Sequence, residues 1–270
     1  MKLAVSNIAW TANEETAVAE ELQRQGVRYV EIAPTKVWDD PLHVTDDQIQ
    51  AYKNFWAKYN IEIVAFQSML FGRPDLTLFD TEATRQQTHD YLVAFIELAG
   101  RVGAEVLVFG SPKNRQVKTI GQDEAYDIAK AFFKEMGEAA VTNRTNFCLE
   151  PNAEAYDCNF VTTAAQGLAL VQAVDHPGFE LHLDTACMVM AGDDIGASIT
   201  NAKNNLRHFH ISAPYLQPIE ETEVDHQAAA DALRAINYQH FVSIEMRPGD
   251  EGQNVDRVSQ AVAIAKKYYS

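Results

Sequence analysis

Along the chain, short runs rich in β-branched and aromatic residues alternate with longer stretches whose apolar residues recur every three or four positions. The short runs are KLAVSNIA, VRYVEIA, IEIVAFQ, AEVLVFG, TNFCLE, FELHLD, LRHFHIS and HFVSIEM. Apolar runs of this length and composition read as strands. The longer stretches predict helices over 13–25, 45–59, 84–101, 122–142, 162–174, 193–203, 225–236 and 255–269. Asn13 is the expected N-cap of the first helix, and Gly26 its stop. Thr45 is the expected cap of the second, with Asp46 and Asp47 placed to favour the helix dipole.

Strands that alternate with helices imply a parallel sheet joined by crossovers. Eight strand–helix units, with strand starts roughly 25–45 residues apart, match the arithmetic of an α/β fold of the single (β/α)8 TIM-barrel type. An open doubly wound sheet is the rival, but it places a glycine-rich phosphate turn after an early strand, and NIAWTANEE contains none. No Pro/Ser-rich linker divides the chain, so residues 1–270 read as one barrel domain. Several loops that follow strands are long: Pro34–Val44, Ser68–Asp80, Ser111–Gly121 and Ser212–Val224. They fall on the C-terminal rim, where such barrels carry their chemistry.

Composition narrows the classes. Hydrophobic residues make up 47% of the 270, enough for a large core, and no uninterrupted apolar run is long enough to span a membrane. The start, MKLAVSNIAW, reads as a first strand and not as a signal peptide. Cys148, Cys158 and Cys187 are an odd number without metal-clip spacing, which points to a reducing cytoplasm. A net charge of −16 disfavours nucleic acid and anionic membrane as partners. The expected partner is a small molecule, and the oligomeric state is left open, a homo-oligomer among the options.

The chemistry concentrates where the last four strands end. Glu150 closes FCLE, Asp184 closes LHLD, His210 stands in RHFHIS and Glu245 in VSIE. Strand side chains alternate in direction. If Leu149, Leu183, Phe209 and Ile244 face the helices, the four polar residues face the barrel axis together. Three ionised carboxylates in one place need a compensating charge, and a divalent cation supplies it. Oxygen donors with one imidazole suit Mn²⁺ first, with Co²⁺, Mg²⁺ or Zn²⁺ as alternatives.

LEPN, LHLDT, HFHIS and VSIEM, in this order and spacing, resemble the xylose isomerase-like TIM-barrel superfamily of sugar phosphate isomerases and epimerases, and within it the ketose 3-epimerases of the tagatose/psicose group. The resemblance implies that Glu150, Asp184, His210 and Glu245 are metal ligands. It also implies that Glu150 and Glu245 are the catalytic pair, exchanging the proton next to a ketose carbonyl through a metal-stabilised enediolate. The expected activity is that of a metal-dependent epimerase or isomerase of a sugar or sugar derivative. Rival readings are a metal-dependent dehydratase of a sugar or cyclitol and a non-catalytic sugar-binding barrel. Two departures stand out. The pattern Asp-x-x-His runs here to Cys187, and SAPYLQP after the seventh strand lacks the arginine of the epimerase pattern.

Further candidates come from position alone. Substrate contacts are expected from Cys187, Arg247, Lys113, Arg115, Asn152, Gln67 and Trp10, with Lys36 raising the same idea of an anion grip. Trp38 and Phe71 are candidate apolar walls. His208 and His182 lie two residues before His210 and Asp184 and are expected to orient ligands from behind. His226 reads as a surface residue.

Overall fold

The computed structural model describes residues 1–219 and 224–270. Eight parallel strands close into a barrel in sequence order, with β8 pairing to β1. They are β1 (Lys2–Ser6), β2 (Tyr29–Ile32), β3 (Glu62–Phe66), β4 (Val106–Phe109), β5 (Asn146–Leu149), β6 (Phe179–Asp184), β7 (Leu206–Ser212) and β8 (Phe241–Glu245). Each lies within the run predicted for it. This is the expected (β/α)8 barrel, with helices packed around the outside.

Alternation along the strands separates two interiors. Leu149, Leu183, Phe209 and Ile244 join the large apolar layer between strands and helices. Ala4, Val64, Val106, Val108, Cys148 and Phe241 form a smaller apolar plug. Polar residues stand further along the same strands: His182 pairs in register with His208, Asp184 with His210, His210 with Ser243, and Ser212 with Glu245. Parallel register therefore gathers the polar ends of β6, β7 and β8 at one rim.

The helices at Asp46–Ala57, Gln122–Thr142, Ala164–Val174 and Asn254–Tyr269 sit where the periodicity places them. Thr45 caps its helix with Gln48 in a capping box, as its sequence implies. Asn13 is not a cap. Thr11 and Glu14 form a capping box around the short 3-10 turn Ala12–Glu14, and the α-helix starts only at Glu15. Two short helices were not anticipated. Pro34–Val37 opens the loop after β2, and Thr185–Ala191 follows β6 directly. The second forms because Asp184 is both the last strand residue and an N-cap, its Oδ1 accepting from the Cys187 N–H at 2.7 Å. Of the long loop expected at Ser212–Val224, residues 220–223 lie outside the described residues.

Gly178 shows how tightly the outer layer sits on the barrel. A Cβ there would overlap the backbone carbonyl oxygen of Gly137 in the helix Gln122–Thr142, just ahead of β6. Gly178→Ala is expected to cost about 1–3 kcal/mol through overpacking. Chemical denaturation checks this, and an unchanged midpoint would contradict the packing described.

Candidate metal and active site

β5 to β8 bring the four strand-end residues together. One donor atom from each of Glu150, Asp184, His210 and Glu245 lies within 4.8 Å of the others. Glu150 follows β5 directly, its backbone N–H bonded to the Phe109 carbonyl at 3.0 Å. Its carboxylate fits because residue 110 is glycine, since a Cβ at that position would overlap Glu150 Oε2. Asp184 is held at both oxygens, by the Cys187 N–H and by the Ser212 hydroxyl.

His210 is fixed from behind. Its Nε2 lies 2.9 Å from Oε2 of Glu31, a fully buried carboxylate on β2. This leaves Nδ1 turned toward the carboxylates, 3.3 Å from Glu245 Oε2 and 4.0 Å from Asp184 Oδ2, without an aligned hydrogen bond to either. A buried ring nitrogen without an aligned hydrogen bond, among three converging carboxylates, is a donor set that fits a divalent cation. Outer carboxylates commonly fix the tautomer of a liganding imidazole in this way.

The electrostatics of the metal-free site express the same constraint. Burial, then the charges of Asp184 and Glu245, push the Glu150 carboxyl up to about 8. Burial and Glu245 also raise Asp184. For His210, burial alone would favour the neutral ring, but Glu31 and Glu245 hold its pKa well above the ordinary value. Glu31 behaves conversely: burial works against its charge, yet His210 and His208 hold it well below the usual carboxylate range.

A cavity of about 570 Å³ opens above this base, with Glu150, Asp184 and Glu245 in its floor. Asn152, Cys187, Lys113 and Phe71, expected as substrate contacts and an apolar wall, line it. Asn152 Nδ2 lies 3.5 Å from Cys187 Sγ, and that sulfur is 3.9 Å from Glu150 Oε1. Burial, then Asp184 and Glu150, raise the Cys187 thiol well above its usual value, so it stays protonated. Lys113 is exposed and ion-paired with Asp157 at 3.1 Å.

Four other expected substrate contacts are placed elsewhere. Arg115 is fully buried and spends its guanidinium on the carbonyls of Gly110 and Glu150 and on Asn152 Oδ1, at 2.5, 2.7 and 2.9 Å. It braces the loop that carries Glu150. Arg247 is exposed and outside the cavity lining, its backbone N–H bonded to the Leu216 carbonyl at 2.9 Å. Gln67 bonds Ser6 inside the barrel. Trp10 is fully buried, edge-on to Trp56 at 6.2 Å, with Trp38 likewise against Tyr52. Lys36 donates to the carbonyls of Asn7 and Trp10, and His226 is buried against the Tyr269 hydroxyl.

His208 and His182 do lie beneath the quartet, both fully buried. His208 Nε2 is 3.4 Å from Glu31 Oε1, so it faces the brace of His210 and no cavity carboxylate. His182 Nε2 stands 4.0 Å from Glu150 Oε1. Sequence reasoning missed Glu31, Gly110, Ser212, Tyr156 and Tyr215. Glu31 carried a signal, a charge inside the apolar run YVEI, which only an inward-facing partner explains.

A family model described as "Xylose isomerase-like TIM barrel" matches residues 19–268. L-ribulose 3-epimerase of Methylomonas sp. (strain DH-1) is 24% identical over 237 residues, covering 87% of this chain and 79% of that protein. A solved D-psicose 3-epimerase from Clostridium cellulolyticum H10, with D-tagatose, superposes at a TM-score of 0.84 over the whole of both chains, at 19% identity. The IOLI protein, solved with a bound zinc atom, superposes over the whole of both chains at a TM-score of 0.78 and 18% identity. At these identities the structural likeness speaks to the fold.

Two outcomes follow from the geometry. Glu31→Gln is expected to weaken divalent-cation binding by about 10–100-fold, measured by calorimetry, with the protein still folded. An unchanged affinity would remove Glu31 as the brace of His210. The second outcome concerns pH. Folded Glu150 keeps its proton up to about 8, while the unfolded chain releases it near the ordinary 4.5. Its stabilising contribution is therefore full below 4.5 and declines as pH rises to about 8. A cation replaces that proton, so the rise in melting temperature caused by Mn²⁺ is expected to grow from pH 5 to pH 8. A rise that is flat or shrinks across that window would contradict this electrostatic account.

Proposed function

The chain belongs to the xylose isomerase-like TIM barrel family, and we propose that it is a divalent-metal-dependent epimerase or isomerase of a sugar or sugar derivative. The observation that carries this reading is the convergence of Glu150, Asp184, His210 and Glu245 at the floor of a cavity, with the two glutamates reaching it from strands β5 and β8. The sugar 3-epimerases among its relatives support the reaction class. The zinc-bound neighbour supports a divalent ion, and the oxygen-rich donor set favours Mn²⁺, Co²⁺ or Mg²⁺ alongside it.

The carboxylates of Glu150, Asp184 and Glu245 and Nδ1 of His210 would hold the ion. Bound there, it supplies Lewis-acid polarisation of a ketose carbonyl and its neighbouring hydroxyl. The remaining work falls to the protein's own groups. β6 and β7 separate the strands of Glu150 and Glu245, so the two carboxylates address a bound sugar from two sides. One takes the proton from the carbon next to the carbonyl, and the other returns a proton to the opposite face. Asp184 does not share this role. The Cys187 N–H and the Ser212 hydroxyl both engage its oxygens and fix it as a positioned anion. Asn152 and the Cys187 thiol stand beside Glu150, where a sugar hydroxyl would lie.

In D₂O with Mn²⁺, candidate ketoses are expected to take up deuterium next to the carbonyl. Glu150→Gln and Glu245→Gln should each lower that exchange by about 10²–10⁴-fold. Full exchange and full epimerisation retained in both variants, or a product lighter by one water, would refute the paired-glutamate epimerase reading.

A further inference from the structure

The outer half of the cavity differs from its floor. Above the three carboxylates stand Phe71, Tyr156 and Tyr215. Phe71 is 78% exposed and Tyr215 58%, although large apolar side chains are otherwise mostly covered among the described residues. The two tyrosines meet edge to face at 5.8 Å, and Tyr156 Oη accepts the backbone N–H of Tyr215 at 2.9 Å. Tyr215 and Leu216, with φ of 59° and 56°, both sit in the left-handed region that side chains other than glycine rarely adopt. An unusual backbone is thus held where it presents an aromatic ring to the cavity.

The cations of this wall are already matched. Arg73 pairs with Asp75 at 2.7 Å and Lys113 with Asp157 at 3.1 Å. Arg115 lies outside the lining, fully buried and bonded to carbonyls. An anionic substituent would find no unpaired cation among these and would face the carboxylate floor. A volume of about 570 Å³ is more than one monosaccharide requires and lies in the range of sites for larger ligands. Aromatic faces with polar edges suit a neutral ring that is apolar on its faces and hydroxylated at its rim.

We propose that Phe71, Tyr156 and Tyr215 form a subsite for a second, uncharged ring. The substrate is then a ketose that carries a glycosyl or similar neutral ring group at the end remote from its carbonyl. The proposal rests on the sugar epimerase reading for the reacting end only.

Three probes share one reacting end: fructose, fructose 6-phosphate and isomaltulose, which carries a glucosyl group on O6 of fructose. Each is tested with the Mn²⁺-loaded protein, by calorimetry for binding and by deuterium exchange for turnover. Isomaltulose is expected to exceed both others in affinity and in kcat/KM for exchange by about tenfold. Phe71→Ala and Tyr215→Ala, changes at exposed side chains that leave the core intact, should each remove most of that advantage. A preference for fructose 6-phosphate, equal handling of all three, or a Phe71→Ala effect confined to oligomeric state would overturn the subsite. Exchange of fructose without preference for isomaltulose rejects the subsite and keeps the epimerase reading. Phe71-dependent binding of isomaltulose without exchange of any probe does the reverse. Failure of all three to bind rejects the subsite outright.

Discussion

Like charges gathered in a buried space set the terms for everything at this barrel's rim. Glu150, Asp184 and Glu245 have donor atoms within 4.8 Å of one another, largely buried at the floor of a cavity. Without compensation their mutual repulsion adds to the cost of burial, which is why the Glu150 carboxyl is pushed up to about 8 and that of Asp184 is raised. The chain supplies part of the compensation itself. His210 stands among the carboxylates, and Glu31 behind it fixes which nitrogen faces them. A divalent cation is the remaining partner that this arrangement calls for.

The rest of the fold can be read as the means of maintaining that crowd. Parallel register aligns Asp184 with His210 and Ser212 with Glu245. The helix Thr185–Ala191 begins on Asp184, so the carboxylate is also part of a cap. Gly110 leaves room for Glu150, and Arg115 donates to the backbone carbonyls of both.

Much of this was legible in the chain. Alternation within LHLD, RHFHIS and VSIE placed a polar residue inward at each strand end, and the rule that strand side chains alternate needs no tertiary information. What stayed hidden depended on partners far away in sequence. Glu31 is separated from His210 by 179 positions, so the charge inside YVEI hinted at an inward partner without naming it. Arg115 and Trp10 carry the residue types of ligand sites, yet in the fold they meet carbonyls and another indole. Arg247 follows Glu245 by two, but alternation ceases to govern direction once the strand has ended at Glu245. Cys187, by contrast, kept the place that sequence suggested, on the cavity wall and close to Glu150. There a short protonated thiol leaves space and offers only a weak hydrogen bond.

The account stands or falls on where a cation sits. Crystals grown with Mn²⁺ and measured at the manganese absorption edge locate it without reference to activity. The account predicts one anomalous peak per chain in the cavity floor, bonded to oxygens of Glu150, Asp184 and Glu245 and to Nδ1 of His210, with Nε2 still on Glu31. A crystal saturated with Mn²⁺ that shows no peak there, or a peak on other residues, would contradict it.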